Sequence, residues 1–281
     1  MIPAVIHRRF LAAMACATFG TVPAAGRAAG NSEYLVRTWG ADQGLLQSSV
    51  FGLVQTRDGY LWLATFGGLA RFDGITFTTF DSMPGLPSSR ILSLCEDGEG
   101  ILWLATQEAG ATAYTKGAFT SYTQRDGLPS NHVYAVVADS AGSAWIGTSD
   151  GLVRRHGGHF EAIPFPRATG EEILSLATGV DGRVFAGTNR GIAEFQSARF
   201  AVYHDLHQPV LSLYADHSGT VWYGTNNGLY RLDDAHNRVA PVTGEVRAIR
   251  EDRAGGLWVG SSTGLWRDGA GSWTAIPAPT A

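Results

Sequence analysis

Six aspartates recur along the chain at intervals of 35 to 42 residues, and their carboxylates could in principle do chemistry together. Carboxylates that converge can bind a divalent metal ion or act as a catalytic acid and base. Each of the six falls in one turn of one repeated unit, so we expect them to be distributed rather than to converge. We therefore predict no metal site and no catalytic carboxylate set from Asp58, Asp97, Asp139, Asp181, Asp216 and Asp252.

Two histidines and a pair of glutamates are the other candidates for acid–base chemistry. His132, His207, Glu171 and Glu172 could serve a lyase or a hydrolase. The two glutamates are adjacent, so on a strand they would face opposite ways. The sequence has no His-Glu-x-x-His motif and no histidine pair at metal-ligand spacing. We therefore predict a non-catalytic protein without a cofactor. An exported enzyme and a protein-interaction scaffold are the alternatives.

A repeated unit must position these side chains. The pattern of residues 58–80, DGYLWLATFGGLARFDGITFTTF, occurs six times, at periods of 41, 42, 40, 37 and 36 residues. These lengths are typical of the four-stranded blades of a β-propeller. The sequence thus predicts an all-β propeller with six visible blades. The aligned aromatic positions are Trp62, Trp103, Trp145, Phe185, Trp222 and Trp258.

Within each unit, turn residues separate four short apolar runs. We expect Asp58-Gly59, Asp97-Gly98 and Asp181-Gly182 to form tight turns between the first and second strands, with longer turns in the other units. The tryptophan column should fill the wedge between blades. Because inner strands crowd around the axis, the third position of each first strand should be small. It is Gly52, Ser93, Ala135, Ser175, Ser212 and Ala248.

Residues 1–30 do not match the repeat. A basic start, an apolar run and small residues at 24–30 predict a secretory signal peptide, which leaves residues 31–281 as the propeller and implies a periplasmic location. The net charge of −4 and the lack of a Lys/Arg cluster argue against nucleic acid as a partner. Cys16 would leave with the signal, so we expect Cys95 to be a buried, unpaired cysteine.

The chain also predicts an incomplete ring. Residues 34–39, YLVRTW, resemble the fourth strand of a blade, while the last unit has its own fourth strand at residues 272–277. Three strands of a further blade are then missing, which predicts an incomplete seven-bladed ring in an N-terminal fragment or a truncated gene product. A six-bladed ring with one redundant strand is the alternative, because open rings expose strand edges.

The stretch 127–160, GLPSNHVYAVVADSAGSAWIGTSDGLVRRHGGHF, resembles the repeat of the two-component regulator propeller family. The Gly-Leu-Pro-Ser connection also occurs at 85–88 and in part at 44–45, whereas the last three units lack it. The resemblance extends over residues 34–277. In that family the propeller is generally the exported sensory part of a membrane-anchored histidine kinase or diguanylate cyclase.

The resemblance implies that this chain senses a ligand for signal transduction by a phosphorelay. The kinase or cyclase domains would belong to a longer, inner-membrane-anchored parent or to a partner, and the chain itself would lack those activities. A homodimer stays an open alternative.

The binding surface follows from propeller geometry. The loops joining strand four to strand one, and strand two to strand three, surround the axis on one face. Their hydroxyls and amides suit a small polar ligand such as a carbohydrate, with one phenyl ring as an apolar platform. Because serine and asparagine also make turns, a structural role is the alternative at each position. The predicted ligand-binding residues are Ser49, Phe66, Ser89, Arg90, Asn131, His132, Glu172, Gln208 and Asn226.

Overall fold

Six four-stranded antiparallel sheets account for the strands of the protein, in a computed structural model that describes residues 38–81, 85–165, 172–196, 199–232, 238–269 and 271–277. Blade 1 contains β1 (Val50–Gln55), β2 (Leu61–Thr65), β3 (Gly68–Phe72) and β4 (Phe77–Phe80). Blade 2 contains β5 (Ile91–Glu96), β6 (Leu102–Thr106), β7 (Ala111–Thr115) and β8 (Ala118–Tyr122). Blade 3 contains β9 (Val133–Ala138), β10 (Ala144–Thr148), β11 (Gly151–His156) and β12 (His159–Ile163).

The second half of the chain repeats the same order. Blade 4 contains β13 (Ile173–Thr178), β14 (Val184–Thr188), β15 (Gly191–Gln196) and β16 (Arg199–Asp205). Blade 5 contains β17 (Ser212–Ala215), β18 (Val221–Thr225), β19 (Gly228–Arg231) and β20 (Arg238–Thr243). Blade 6 contains β21 (Val246–Glu251), β22 (Leu257–Ser261), β23 (Gly264–Gly269) and β24 (Ser272–Ile276). Two short 3-10 helices, Ala41–Gln43 and Gln124–Asp126, precede blades 1 and 3. The predicted all-β propeller of four-stranded blades is confirmed.

The blades stand side by side through their inner strands. β1 packs against β5, β5 against β9, and so on through β13 and β17 to β21. Over the described ranges, no comparable packing joins β21 to β1. A seventh blade therefore stays a prediction. Its proposed outer strand lies mostly outside the described residues, as does the signal peptide, but Trp39 at its end contacts the Phe72 ring edge-on at 5.5 Å.

The turns between first and second strands all have one length, so the expectation of short Asp-Gly turns in three units and longer ones elsewhere is wrong. The fourth residue of each turn is a glycine with φ between 78° and 91°, and its N–H donates to the carbonyl of the first turn residue. Asp97 is the first residue of its turn, whereas Asp58 and Asp181 are the third. The glycines are Gly59, Gly100, Gly142, Gly182, Gly219 and Gly255.

The first residue of the turn binds the tryptophan of its own blade. In four blades an aspartate carboxylate accepts the indole N–H at 2.8 or 2.9 Å. In blade 1, Thr56 stands in this position, and its hydroxyl accepts the Trp62 indole N–H at 3.1 Å. These aspartates are therefore held apart, each by its own indole. The four pairs are Asp97–Trp103, Asp139–Trp145, Asp216–Trp222 and Asp252–Trp258.

The indoles also fill the space between blades, as predicted. Trp103 and Trp145 are almost completely buried, and Trp145 meets Phe195 of the next blade with ring centroids 4.9 Å apart. Trp222 is only half-buried and approaches Trp273 of blade 6 at 6.5 Å. Burying such rings is worth several kcal/mol each at ~25 cal/mol per Å². The aromatic column thus packs between neighbouring blades together with the aliphatic residues of the inner strands.

Blade 4 replaces this arrangement with a different one. Phe185 stands in place of tryptophan, and Gly179 stands in place of aspartate. Arg183 lies 5.1 Å over the Phe185 ring and pairs with Asp181 at 2.6 Å and Glu194 at 3.2 Å. The groove beside Phe185 measures ≈ 340 Å³, against ≈ 180 Å³ for the groove beside Trp145. The smaller phenyl ring leaves this part of the wedge more open.

In blades 1, 2, 4 and 5 the small third residue of the inner strand meets the next blade, as the crowding argument expects. The Ser175 hydroxyl donates to the Val210 carbonyl at 2.9 Å. The Ser212 hydroxyl donates to the Val246 carbonyl, also at 2.9 Å. A Cβ on Gly52 would come within 3.3 Å of the Ser93 Cα. These positions therefore limit how closely neighbouring inner strands can pack.

Cys95 is a free, buried cysteine, as expected. Burial, with the charge of Asp97 as a smaller second cause, raises the pKa of its thiol. No helix in the described ranges has the length and apolar character needed to cross a membrane.

Candidate functional site

The two predicted sets of loops do lie together on one face, which we call the central face. It carries the connections from strand four to strand one and the turns between strands two and three. The Gln107 N–H donates to the Arg90 carbonyl at 3.1 Å, and the Ser149 N–H donates to the His132 carbonyl at 3.0 Å. Each of these bonds joins one loop set to the other. The central face is therefore a rigid, hydrogen-bonded surface.

A hydroxyl at the end of each second strand, buried in blades 1 to 5, shapes the turn that follows. The Thr65 hydroxyl accepts the Gly67 N–H at 3.0 Å and donates to the Gly68 carbonyl at 2.8 Å. Gly68 has a φ of 132°, and a Cβ there would lie 2.6 Å from the Phe80 carbonyl oxygen. The same hydroxyl position is Thr106, Thr148, Thr188, Thr225 and Ser261 in the other blades. The Gly/Ala-Thr element of the repeat thus serves the turns of the central face.

In five blades, a β-bulge near the start of the inner strand redirects one further side chain at the edge of this face. The pairing register skips the second residue of the strand in five blades. A bulged residue is redirected relative to its neighbours. Phe51 accordingly stacks on Phe66, and the Tyr134 hydroxyl reaches Glu172. The sequence analysis missed these residues. They are Phe51, Leu92, Tyr134, Leu174 and Arg247.

The residue just before the inner strand differs chemically from blade to blade. Its carbonyl accepts a turn N–H in blades 2, 3 and 6, while its side chain differs at each position. Arg90 and His132 are exposed, and Ser49, Glu172 and Glu245 are partly exposed. Blades 2, 3 and 6 thus keep the backbone role at this position and change the side chain. The series is Ser49, Arg90, His132, Glu172, Pro209 and Glu245.

Blades 1 and 2 contribute an aromatic–arginine cluster, formed by Phe51, Phe66, Arg90 and Gln107. The Phe51 and Phe66 rings are stacked, with centroids 4.0 Å apart and planes 21° apart. The Arg90 guanidinium carbon lies 5.9 Å from the Phe66 ring centroid, and its Nη1 lies 3.5 Å from the Gln107 Oε1. Phe66 is still 37% exposed. The cluster thus brings two predicted residues together with two others.

Blades 3 and 4 contribute an acidic cluster. The Tyr134 hydroxyl donates to Glu172 at 3.2 Å. The Ser149 hydroxyl lies 2.8 Å from Ser130 and 3.2 Å from the Asp150 carboxylate. Burial, followed by the charge and hydrogen bond of Glu172, raises the pKa of Tyr134. Tyr134 therefore stays a neutral hydrogen-bond donor next to an acidic surface.

A third group joins blades 4 and 5. The His207 Nδ1 lies 2.8 Å from one Asp205 oxygen, and the Arg190 Nη2 lies 3.3 Å from the other. His207 has a φ of 53°, which is unusual for a residue with a side chain. The histidine is largely exposed. This group places an oriented imidazole on the central face.

The remaining predicted residues do not enter these clusters. The Asn131 Oδ1 accepts the Gln124 N–H at 2.9 Å, which is the structural role given as the alternative. The His132 side chain is exposed, and its recorded hydrogen bonds use backbone atoms. In the part of the chain that the structure describes, no side-chain contact brings Ser49, Ser89, Gln208 or Asn226 into the three groups. Glu171 lies outside the described residues.

Comparison with known proteins supports the repeat and the fold. Residues 44–67, 85–108, 127–150 and 242–263 match the family model of the two component regulator propeller. These segments cover blades 1, 2, 3 and 6 from the connection before the inner strand to the turn after the second strand. The resemblance read from the first three units is confirmed and also holds for blade 6. No curated protein is a significant match.

Solved structures share the fold at low identity. The extracellular domain of a hybrid two-component system from B. thetaiotaomicron is 21% identical, with a TM-score of 0.76 over 87% of this chain and 37% of that one. A one-component system's extracellular domain from the same organism is 22% identical, with a TM-score of 0.67 over 79% and 33%. This chain thus spans about a third of their lengths.

An enzyme shares the fold as well. A catalytically inactive variant of virginiamycin B lyase from Staphylococcus aureus, crystallised with quinupristin, is 14% identical, with a TM-score of 0.69 over 81% of this chain and 84% of that one. At this identity the likeness shows the fold alone.

Proposed function

We propose that this chain, four of whose blades match the two-component regulator propeller repeat, is an exported, non-catalytic sensory propeller. It binds a small polar ligand on the central face. The bound state is passed to signalling domains in a longer parent protein or in a partner. A carbohydrate is one ligand class that the hydroxyls and amides of this face suit.

One observation carries the proposal: the repeats vary at the positions that face outward at the central face. The turn glycines, the hydroxyl after strand two and the small third residue recur because each has a structural contact. The residue before the inner strand and the bulged residue differ between blades, although the backbone bond of the first recurs in blades 2, 3 and 6 and the bulge of the second recurs in five blades. Ligand binding is a reason for such variation on a rigid scaffold.

The test is a thermal-shift screen of the full chain against oligosaccharides, amino acids and organic acids. A ligand raises the unfolding temperature because it binds only the folded state. We expect at least one hit to be lost in Arg90→Ala or Phe66→Ala. The matched control is Arg253→Ala, an exposed arginine in a turn on the opposite face. If every hit still raises the unfolding temperature of both central-face variants, the proposed site is wrong.

Export is tested separately, by fusing residues 1–30 to a reporter that is active only outside the cytoplasm. The fusion should be active, and a version with Arg8 and Arg9 replaced by glutamate should lose most of that activity. A fusion that stays inactive would contradict the export part of the proposal.

An exported lyase or hydrolase is the second candidate, and the Asp205–His207 contact favours it. A carboxylate that orients an imidazole is a common general-base arrangement. Product analysis of every screening hit tests it. If a hit is converted by the wild type but not by His207→Ala, the protein is an enzyme. If hits are recovered unchanged, the sensor is supported.

A further inference from the structure

We infer that the aromatic–arginine cluster of blades 1 and 2 binds an organic anion that carries a flat apolar ring, such as an aromatic carboxylate. The inference rests on the proposed function and narrows its ligand class. It places the ligand on the part of the central face that blades 1 and 2 form, and it assigns a separate role to each of two side chains.

The apolar part of the site is a partly exposed aromatic stack. Phe51 is fixed by the bulge of β1, and Phe66 lies parallel to it at 4.0 Å. Phe66 is held in a turn whose geometry depends on the Thr65 hydroxyl and on Gly68. An exposed ring that is already stacked and fixed loses little entropy when another ring packs on it. Leu92, the bulged residue of blade 2, adds partly exposed apolar surface beside Arg90.

The charged part of the site is the guanidinium of Arg90, which contacts an amide oxygen and an aromatic ring. Arg190 pairs with Asp205 and Arg247 pairs with Glu245 on the same face. Within the described ranges, the contacts of Arg90 are instead the Gln107 amide oxygen and the Phe66 ring. A guanidinium binds a carboxylate with two parallel N–H donors. Arg90 is thus positioned to bind the anion while the ring of the ligand packs on Phe66.

The part of the central face that blades 3 and 4 form disfavours the binding of an anion. Glu172 and Asp150 belong to the acidic cluster of blades 3 and 4. Negative charge is therefore expected to be accepted beside Arg90 and to be repelled beside Tyr134. Because of this asymmetry, we expect the carboxylate of a bound ligand to lie next to Arg90 and away from Glu172 and Asp150.

The experiment uses the full chain with three probes: phenylacetate, neutral phenylacetamide and acetate, each titrated by calorimetry or ligand-observed NMR. We expect phenylacetate to bind at least tenfold more tightly than either other probe. Arg90→Met should weaken phenylacetate at least tenfold and leave phenylacetamide unchanged. Phe66→Ala should weaken both ring-bearing probes. Arg253→Met, on the opposite face, should change none of them, and unfolding midpoints should show that each variant is folded.

Several results would overturn the inference. They are equal affinity for phenylacetate and phenylacetamide, wild-type affinity in Arg90→Met, or no binding of phenylacetate at all. If a neutral oligosaccharide binds and Phe66→Ala abolishes it while Arg90→Met does not, the ligand class is wrong and the sensor proposal stands. If no compound of the wider screen depends on the central face, the proposed function fails with it.

Discussion

Replacing Asp97 by alanine tests whether the first residue of the turn between strands one and two, rather than the third, stabilises the blade. The Asp97 carboxylate is 1% exposed and accepts three hydrogen bonds. Two come from the backbone N–H groups of Glu99 and Ile101, both at 2.9 Å, and one comes from the Trp103 indole at 2.8 Å. Alignment of the repeats by sequence pairs Asp97 with Asp58. Asp58, however, is exposed and lies two positions later in its turn.

The expected loss can be worked from these contacts. Trp103 is completely buried, so its orphaned indole N–H costs about 2 kcal/mol. The two turn N–H groups can reach water and cost about 0.5 kcal/mol each. Asp97→Ala should therefore lower the free energy of unfolding by about 3 kcal/mol, or the unfolding temperature by roughly 6 to 12 °C. Asp58→Ala should cost under about 1 kcal/mol, because the Trp62 indole keeps its bond to Thr56.

Urea unfolding of the full chain, followed by both circular dichroism and fluorescence, measures the two losses. The midpoints of the two probes must coincide before a single free energy is assigned. Equal losses of unfolding free energy for Asp97→Ala and Asp58→Ala would refute the claim that the first turn residue has the stabilising role. So would a loss below about 0.5 kcal/mol for Asp97→Ala, because the buried bond would then carry no stability.

Two further predictions concern contacts between blades and within one blade. His217 of blade 5 bonds Glu251 of blade 6, and this hydrogen bond, followed by the Glu251 charge, raises the pKa of His217. A raised pKa in the folded state stabilises the protein fully below the unfolded pKa of about 6.5 and ceases to do so as pH rises through the folded value. The urea midpoints of wild type and His217→Gln should therefore differ at pH 6 and converge by pH 9, and a difference that grows with pH would contradict this. Gly68→Ala should cost at least about 2 kcal/mol in the same assay, because φ is 132° and the new methyl group would meet the Phe80 carbonyl at 2.6 Å, whereas Gly74→Ala, which meets no atom within 4 Å, should cost less.

The features that recur from blade to blade could be predicted from the sequence. The tryptophan column and the small third residue recur because each blade packs against the next in the same way, so periodicity reveals them. The turn register was harder to predict, because an Asp-Gly pair occurs at two different turn positions. Asp97 begins its turn and Asp58 is third in its own, and only the hydrogen bonds of the structure separate them.

The residues of the central face were predicted in outline, but some of them were missed. Arg90, Phe66 and Glu172 were identified because propeller loops converge around the axis. Phe51 and Tyr134 were not, because a bulge breaks the alternation of side chains along a strand. The aligned inner strands contained a signal, since the second position is large next to a small third one. Asn131 stays a prediction, and its side chain also has the structural role of accepting the Gln124 N–H within its loop.

The central claim is that a ligand binds on the central face. Hydrogen–deuterium exchange of the full chain, with and without the strongest ligand of the screen, tests this claim most directly. We predict protection in residues 46–50, 65–68, 88–92 and 106–110, which form the loops of the central face in blades 1 and 2. Peptides that span the turns of the opposite face, such as residues 56–60 and 97–101, should exchange at unchanged rates. Protection that is confined to the opposite face or to the groove beside Phe185 would contradict the claim.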